Sequence, residues 1–93
     1  NVGSTLAAIE GIGRSIQGKL ILIMGGLGKG QDFSALTDPL TKYAKLVLLM
    51  GQDAKLIGAA VSKGSAMEYA TSLEEAVSIA HERAHPGDVI LLS

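Results

Sequence analysis

The sequence predicts an α/β fold of Rossmann-like type, in which helices flank a mostly parallel sheet. Two unbroken apolar runs, residues 20–24 and 46–50, each end at a glycine. Such runs are typical of strands that are covered on both faces, as strands are in parallel sheets. Segments with helical spacing alternate with these runs along the chain, which is the pattern that right-handed crossovers between parallel strands produce.

Residues 1–12 are predicted to form the first helix. Ser4 or Thr5 can cap its start, and Gly13 predicts its end. Residues 14–18 are then a mostly polar connection into the first strand. Apolar residues recur every three positions, as they do along one face of a helix: Leu6, Ile9 and Ile12.

A glycine-rich loop, residues 25–30, follows the first strand and carries one charged residue, Lys29. Its glycines, among them Gly28 and Gly30, permit positive φ and let the backbone approach a ligand closely. A strand, a bare loop and then a helix is the place where open α/β sheets bind ligands. The loop therefore indicates either an anion-binding site or a tight turn with an exposed lysine.

Two standard phosphate-binding motifs do not fit this loop. A Walker A motif would need glycine at position 23 and Ser or Thr after the lysine, where the chain has Ile23 and Gly30. A dinucleotide fingerprint that starts at Gly26 would need a third glycine in place of Gln31. Neither nucleotide-binding interpretation is supported.

The segment after the loop is predicted to contain two short helices between residues 33 and 43. Asp32 can cap the first of them. Pro39 fits poorly inside a helix but well at the first helical position behind Asp38, which divides the segment.

The second half of the chain continues the alternation. Asp53 can cap a helix through about residue 61, and residues 66–70 form a short, weaker strand candidate. A capping box at residues 72–75 opens a helix that Pro86-Gly87 ends, and residues 89–93 form the last strand. The apolar faces of these two helices are predicted to be Ala54, Leu56, Ile57, Ala60 and Val61, and then Leu73, Ala76, Val77, Ala80 and Ala84.

The composition of the chain limits the classes of protein to which it can belong. With 93 residues, of which 47% are hydrophobic, the chain is one small domain, 1–93, with a mainly aliphatic core because it has three aromatic residues. The net charge is −1 without a basic cluster, which argues against nucleic acid or an anionic membrane as a partner. The absence of cysteine excludes disulfides and thiolate metal sites, and the apolar runs are too short to span a bilayer. A cytoplasmic location is compatible with these features.

The segment His81-Glu82-Arg83-Ala84-His85 matches the zinc-peptidase motif H-E-x-x-H. Against a metal site, the chain has no further histidine, and His85 adjoins the helix stop at Pro86. A solvated helix end, with histidines near the negative end of the helix dipole, is the favoured interpretation, so no metal site is predicted.

From the residues at its two ends, the chain is predicted to be a piece of a longer protein, truncated at both ends. It begins at Asn1 without a methionine and stops at Ser93, directly after an apolar strand.

Three blocks of residues together resemble the C-terminal domain of the UDP-N-acetylmuramoyl-L-alanine:D-glutamate ligases, within the Mur ligase family. These blocks reach from one end of the chain to the other, in the order and spacing of that family. They are Asn1-Val-Gly-Ser-Thr5 with Ala7-Ala-Ile-Glu-Gly11, then Gly25-Gly-Leu-Gly-Lys-Gly-Gln-Asp-Phe33, then Pro86-Gly-Asp-Val-Ile-Leu-Leu-Ser93.

The resemblance implies a cytoplasmic step of peptidoglycan synthesis. The family uses ATP and Mg²⁺ to convert the carboxylate of UDP-N-acetylmuramoyl-L-alanine into an acyl phosphate, which the amine of D-glutamate attacks. It also implies three domains, of which the central one is a P-loop ATPase and the C-terminal one holds the amino acid. We therefore expect this chain to bind no ATP and to be inactive alone.

The resemblance also assigns site residues. Lys29, between Gly28 and Gly30, aligns with the lysine that contacts the glutamate carboxylate, and a cation on a bare loop suits a dicarboxylate. Asn1 aligns with the end of the motif that joins the central domain to this one. Ser93 aligns with the start of the segment that carries a serine and a phenylalanine of the glutamate pocket. Leu27 departs from the family, which often has Asp there.

The competing hypothesis is a non-catalytic Rossmann-like module that binds a ligand or a protein partner. It predicts ligand binding or partner capture by the isolated chain. A P-loop block upstream of Asn1 would distinguish the ligase from this module.

Overall fold

The structure is a computed structural model that describes residues 1–26, 30–61 and 64–93. Within these ranges, four strands form one parallel sheet in the order β3-β2-β1-β4. The predicted α/β architecture is thus confirmed. The elements are α1 Val2–Ser15, β1 Leu20–Met24, a 3₁₀ helix Phe33–Leu36, α2 Thr37–Tyr43, β2 Ala44–Leu49, α3 Ala54–Val61, β3 Met67–Tyr69, α4 Leu73–Arg83 and β4 Val89–Leu92.

Two apolar layers sandwich the sheet. Alternate residues of β1 point to opposite faces, so Leu20, Leu22 and Met24 pack against α1, α2 and α3 in one core cluster. Ile21 and Ile23 face the other way and pack against α4. Every residue of β1 is buried, which explains why its sequence is a continuous apolar run without alternation. In the ranges that the structure covers, no helix has the length and apolar character needed to cross a bilayer.

The predicted start of α1 was right to within one residue, but the predicted cap and the predicted end were wrong. The N-cap is Asn1, whose side chain accepts the N–H of Ser4 at 2.8 Å, in place of Ser4 or Thr5. The helix also continues past Gly13 to Ser15. Gly13 lies under the ring of Tyr43, where an added Cβ would come within 2.5 Å of Cγ, so packing of α1 against α2 and not helix termination accounts for this glycine.

The starts of α2 and β2, after the glycine loop, also differ from the predicted ones. Asp32 caps the 3₁₀ helix as predicted, and α2 follows directly, so the segment contains the two short helices that were expected. α2 begins at Thr37, however, so Pro39 is its third residue and not its first. Proline is tolerated there because the first N–H groups of a helix have no partner within it. The second strand begins at Ala44, two residues before its apolar run.

The second half of the chain has the predicted elements, but fewer residues of α3 and α4 are buried than the predicted apolar faces contain. Ser72 caps α4 as predicted, since it accepts the N–H of Glu75 at 3.1 Å. The return contact of the predicted capping box is shifted by one residue, because Glu75 accepts the N–H of Thr71, at 2.9 Å, and not that of Ser72. Ala76 and Ala80 are buried on the sheet, whereas Leu73 and Val77 are 42% and 47% exposed. The two alanines form the contact between α4 and the sheet, and the larger side chains of Leu73 and Val77 lie beside that contact. On α3, likewise, Leu56 and Ala60 are exposed.

Asp88 holds together the amino edge of the sheet. Its carboxylate accepts N–H groups from Lys19, before β1, and from His85, after α4, each at 2.8 Å. It also pairs with the Lys45 ammonium at 2.5 Å, and the Asp88 side chain is 6% exposed. Three connections thus converge on one buried carboxylate, at the end of the sheet opposite the candidate site.

Candidate functional site at the carboxyl edge of the sheet

The carboxyl ends of the parallel strands meet at one edge, where the turns after β1 and β2 lie against each other. The N–H of Met50 donates to the carbonyl of Met24 at 3.0 Å. A Cβ on Gly25 would come within 2.9 Å of the Met50 side chain, so a larger residue would separate these turns. Glycine at the end of β1 therefore keeps this edge of the sheet compact.

A cavity of about 140 Å³ opens at this edge. Its apolar lining comes from Met24 of β1, Phe33 of the 3₁₀ helix and Ile57 of α3, together with Gly25. Its polar lining consists of amide and hydroxyl side chains: Asn1, Thr5, Gln31 and Ser93. None of these lining residues has an ionisable side chain, so they supply hydrogen bonds to a ligand but no side-chain charge.

The first turn of α1 joins the end of β4 at this cavity. The Thr5 hydroxyl donates to the carbonyl of Asn1 at 3.0 Å and lies 2.6 Å from the hydroxyl of Ser93. Because a hydroxyl donates one hydrogen, Ser93 is the donor in this second contact. The N–H of Ser93 continues the sheet by donating to Ile23 at 2.9 Å. Asn1 and Ser93, expected near the site, thus lie on the same cavity.

Of the described residues of the glycine loop, Gly25 lines the cavity. Gly26 and Gly30 have φ values of 99° and 67°, which side-chain-bearing residues rarely adopt. Gly28 and Lys29 lie outside the described residues, so their predicted contacts with a ligand stay predictions. Leu27 lies outside these residues as well.

Asp32 fixes the chain as it leaves the loop. Its carboxylate accepts the hydroxyl of Ser34 at 2.6 Å and the N–H of Ser34 at 2.9 Å. These hydrogen bonds, that from the hydroxyl first, hold the pKa of Asp32 below its usual value. The carboxylate therefore stays ionised and caps the 3₁₀ helix.

The two histidines of the H-E-x-x-H segment do not share a helix face. His81 lies in α4, but the helix ends at Arg83, so His85 is outside it. Both side chains are exposed. Among the described residues, no three His, Cys, Asp or Glu side chains are arranged to hold a metal ion.

Thr5 and Gln31 were missed as cavity residues by the sequence analysis. Thr5 was considered only as a helix cap, and Gln31 only as a departure from a nucleotide motif. The sequence feature that could have indicated Gln31 as a cavity residue was its position next to Gly30 of the glycine loop. Its contact with Val2, 29 residues away, gives no local signal in the sequence.

Comparison with known proteins identifies the family of this chain. The family model for the Mur ligase, glutamate ligase domain, matches residues 1–93. The chain is 50% identical over 93 residues to the UDP-N-acetylmuramoylalanine--D-glutamate ligase of Legionella pneumophila (strain Lens), and 53% identical to that of Nitrosococcus oceani. These matches cover all of this chain but 21% and 20% of the relatives, so the chain spans about a fifth of their length. From Asn1 to Ser93, this chain belongs to the Mur ligase family, as a glutamate ligase domain.

Proposed function

We propose that this chain is the amino-acid-binding domain of an ATP-dependent ligase that joins D-glutamate to UDP-N-acetylmuramoyl-L-alanine through an acyl phosphate. The identity of about 50% to ligases of that name, over every residue of this chain, carries the proposal. The reaction is a cytoplasmic step of peptidoglycan synthesis. The cavity at the carboxyl edge supports a ligand site there, since that edge is where α/β sheets bind ligands.

The residues of this chain do not fit ATP and Mg²⁺. The glycine loop lacks the Walker A pattern, because Ile23 and Gly30 stand where glycine and a hydroxyl residue are needed. The cavity lining has no carboxylate that could hold a magnesium ion. ATP and Mg²⁺ therefore belong to the central ATPase domain of the same protein, and this domain holds the amino acid.

Lys29 is the proposed ligand of the D-glutamate carboxylate. The lining residues offer hydroxyl and amide groups, and a dicarboxylate needs a cation in addition. Lys29 lies in sequence between Gly26 and Gly30, both of which have positive φ. Because Gly28 and Gly30 have no side chains, neither sequence neighbour of the lysine would obstruct a small substrate.

In the full-length ligase, Lys29→Ala should raise the KM for D-glutamate about 10- to 100-fold, since a charge-assisted contact with the ground-state substrate is lost. The KM for ATP should not change. Steady-state kinetics with each substrate varied in turn provide the measurement. Lys55→Ala, at an exposed position on α3, is the matched control and should behave as wild type. A wild-type KM for D-glutamate in Lys29→Ala would rule out the assigned role.

The 93-residue chain alone should not catalyse the reaction, because neither the glycine-loop sequence nor the described cavity lining fits ATP and Mg²⁺. The measurement is phosphate release that depends on both ATP and D-glutamate, with the full-length ligase as the positive control. Turnover by the isolated chain above the blank would contradict this expectation.

A further inference from the structure

Two carboxamide side chains of the cavity have their oxygen atoms committed to α1. The Oε1 of Gln31 accepts the N–H of Val2 at 2.9 Å, across 29 positions of sequence. The Oδ1 of Asn1 accepts the N–H of Ser4 at 2.8 Å. A backbone N–H can only donate, so in both side chains the oxygen is the atom that faces the helix. The atom that each side chain has left for a ligand is therefore the nitrogen of its NH₂ group, which donates.

The two hydroxyl groups of the cavity have the opposite polarity. Thr5 uses its one hydrogen on the carbonyl of Asn1 at 3.0 Å, and Ser93 uses its own on Thr5 at 2.6 Å. Both hydroxyls thus keep only lone pairs for a ligand, and lone pairs accept hydrogen bonds. Among the described side chains that line the cavity, the ones able to donate to a bound group are therefore those of Gln31 and Asn1.

These donors are distinct from the N–H groups of α1 itself, several of which already have partners. Those of Val2 and Ser4 donate to the two carboxamides, and that of Thr5 donates to the carbonyl of Asn1 at 3.0 Å. The helix contributes the positive end of its dipole, which favours negative charge at this place. The cavity therefore combines two side-chain donors with a potential that favours an anion.

We propose that the cavity binds a carboxylate group, to which the NH₂ groups of Gln31 and Asn1 donate. This inference rests on the proposed function, under which the group is one of the two carboxylates of D-glutamate. An ionised carboxylate only accepts hydrogen bonds, and bonds to it are about twice as strong as those between neutral groups. A cavity needs about 10–15 Å³ to hold one water molecule, so about 140 Å³ leaves room for a carboxylate and the carbon atoms next to it. Met24, Phe33 and Ile57 would contact those carbon atoms.

The kinetic test replaces each carboxamide by the carboxylate of the same shape, in the full-length ligase. Gln31→Glu and Asn1→Asp keep the oxygen that accepts an N–H of α1 but lose the NH₂ group. Both should raise the KM for D-glutamate about 10- to 100-fold, with kcat and the KM values for ATP and the UDP-sugar unchanged. Gln17→Glu, at an exposed position before β1, adds the same charge elsewhere and should show wild-type constants.

The outcomes separate this inference from the proposed function. A wild-type KM for D-glutamate in either variant would overturn the inference alone. A rise confined to the UDP-sugar, which carries a carboxylate of its own, would overturn it as well, and so would an equal rise in all three KM values. A wild-type ligase that does not use D-glutamate would refute the proposed function, and the inference with it.

Inhibition by glutarate distinguishes a contact with the carboxylate from a contact with the amine. Glutarate has the two carboxylates of glutamate but no amino group, and it should compete with D-glutamate in the wild-type ligase. Its inhibition constant should rise in Gln31→Glu and Asn1→Asp by about the same factor as the KM for D-glutamate. An unchanged inhibition constant beside a raised KM would assign the two side chains to the amine and contradict the proposal.

Hydrogen exchange of the Val2 amide in the full-length ligase tests the orientation of the Gln31 side chain without a measurement of activity. Exchange should stay at the wild-type rate in Gln31→Glu, which keeps the acceptor, and become faster in Gln31→Met, which has a similar length but no oxygen. A purely structural role of Gln31 predicts the same exchange rates but a wild-type KM in Gln31→Glu. Faster exchange in both variants, or in neither, would show that the oxygen does not accept this N–H, and the assignment of the NH₂ group would fall.

Discussion

Asp88 shows how one carboxylate stabilises an edge of the sheet at which no substrate is proposed to bind. The N–H of Lys19, the ammonium of Lys45 and the N–H of His85 hold the pKa of Asp88 well below its usual value. The side chain is 6% exposed, so solvent replaces these partners poorly. A carboxyl group whose pKa is lowered by folding stabilises the native state above the pKa of the unfolded chain, about 3.9. That contribution is lost as the pH falls from there towards the native pKa.

Asp88→Asn should destabilise the domain by about 1–3 kcal/mol at pH 7, because the amide keeps one acceptor oxygen and presents an NH₂ group to a donor. It should also flatten the loss of stability below about pH 4, since a titrating group has been removed. Some loss should remain, because the pKa of Asp32 is lowered as well. Urea unfolding at several pH values measures both effects. Glu82→Gln, at an exposed position on α4, should leave the pH profile unchanged, and an equally steep profile in Asp88→Asn would refute the assignment.

At the scale of elements, two glycines of α1 have opposite consequences for stability. A Cβ on Gly11 would meet no heavy atom within 4 Å, so Gly11→Ala should stabilise the domain by about 0.5–1 kcal/mol through helix propensity. A Cβ on Gly13 would lie 2.5 Å from Cγ of Tyr43, close to the backbone end of that side chain. Gly13→Ala should therefore destabilise the domain by about 1–3 kcal/mol, because α1 must move away from α2.

Thermal or urea unfolding of these two variants, side by side, tests this contrast. The same substitution in the same helix serves as its own control for propensity. Stabilisation by both alanines would show that Tyr43 adjusts without cost and that Gly13 has no packing role.

Element identity was largely predictable from the sequence, and element boundaries were less so. The apolar runs and the capping box at Ser72 are local patterns, and both marked real elements. Gly13 was wrongly predicted to end α1, because its role is in tertiary packing. It contacts Tyr43, which lies 30 positions further along the chain, so no local pattern indicates this role. Helical spacing placed Leu73 and Val77 on the apolar side of α4, but the width of the contact with the sheet decides which apolar residues are buried.

At the scale of the whole molecule, β4 is an edge strand of the described sheet, and it presents apolar side chains to solvent. Ile90 and Leu92 are 38% and 58% exposed on one face. Leu91 points to the opposite face and packs against the larger core cluster. An exposed apolar edge strand carries unpaired backbone groups and is a known route to self-association.

The 93-residue chain should therefore associate as its concentration rises, and Leu92→Lys should increase the monomer fraction. The unfolding free energy of Leu92→Lys should change by less than about 0.5 kcal/mol, because the side chain is largely exposed. Leu91→Lys is the contrasting variant and should cost about 2 kcal/mol or more, since it places an ammonium against the core. Sedimentation velocity and urea unfolding measure the two quantities. A concentration-independent monomer in the wild type would contradict the prediction.

The cavity could be anticipated only in part, because it depends on contacts between distant segments. The sequence placed the glycine loop after the first strand, and therefore at the carboxyl edge of the sheet, where the cavity lies. The contacts Thr5–Ser93 and Val2–Gln31 span 88 and 29 positions and arise from the sheet order. No periodicity or motif encodes them, so the polar lining of the cavity appears only with the structure.

The contact between the hydroxyls of Thr5 and Ser93 has a topological consequence, because it brings the first turn of α1 against the residue that follows β4. In the 93-residue chain, a few added glycines could join residues 1 and 93 into a closed circle of chain. Such a circle could be cut at the exposed turn around Gln52, giving a permuted molecule whose sheet order is unchanged.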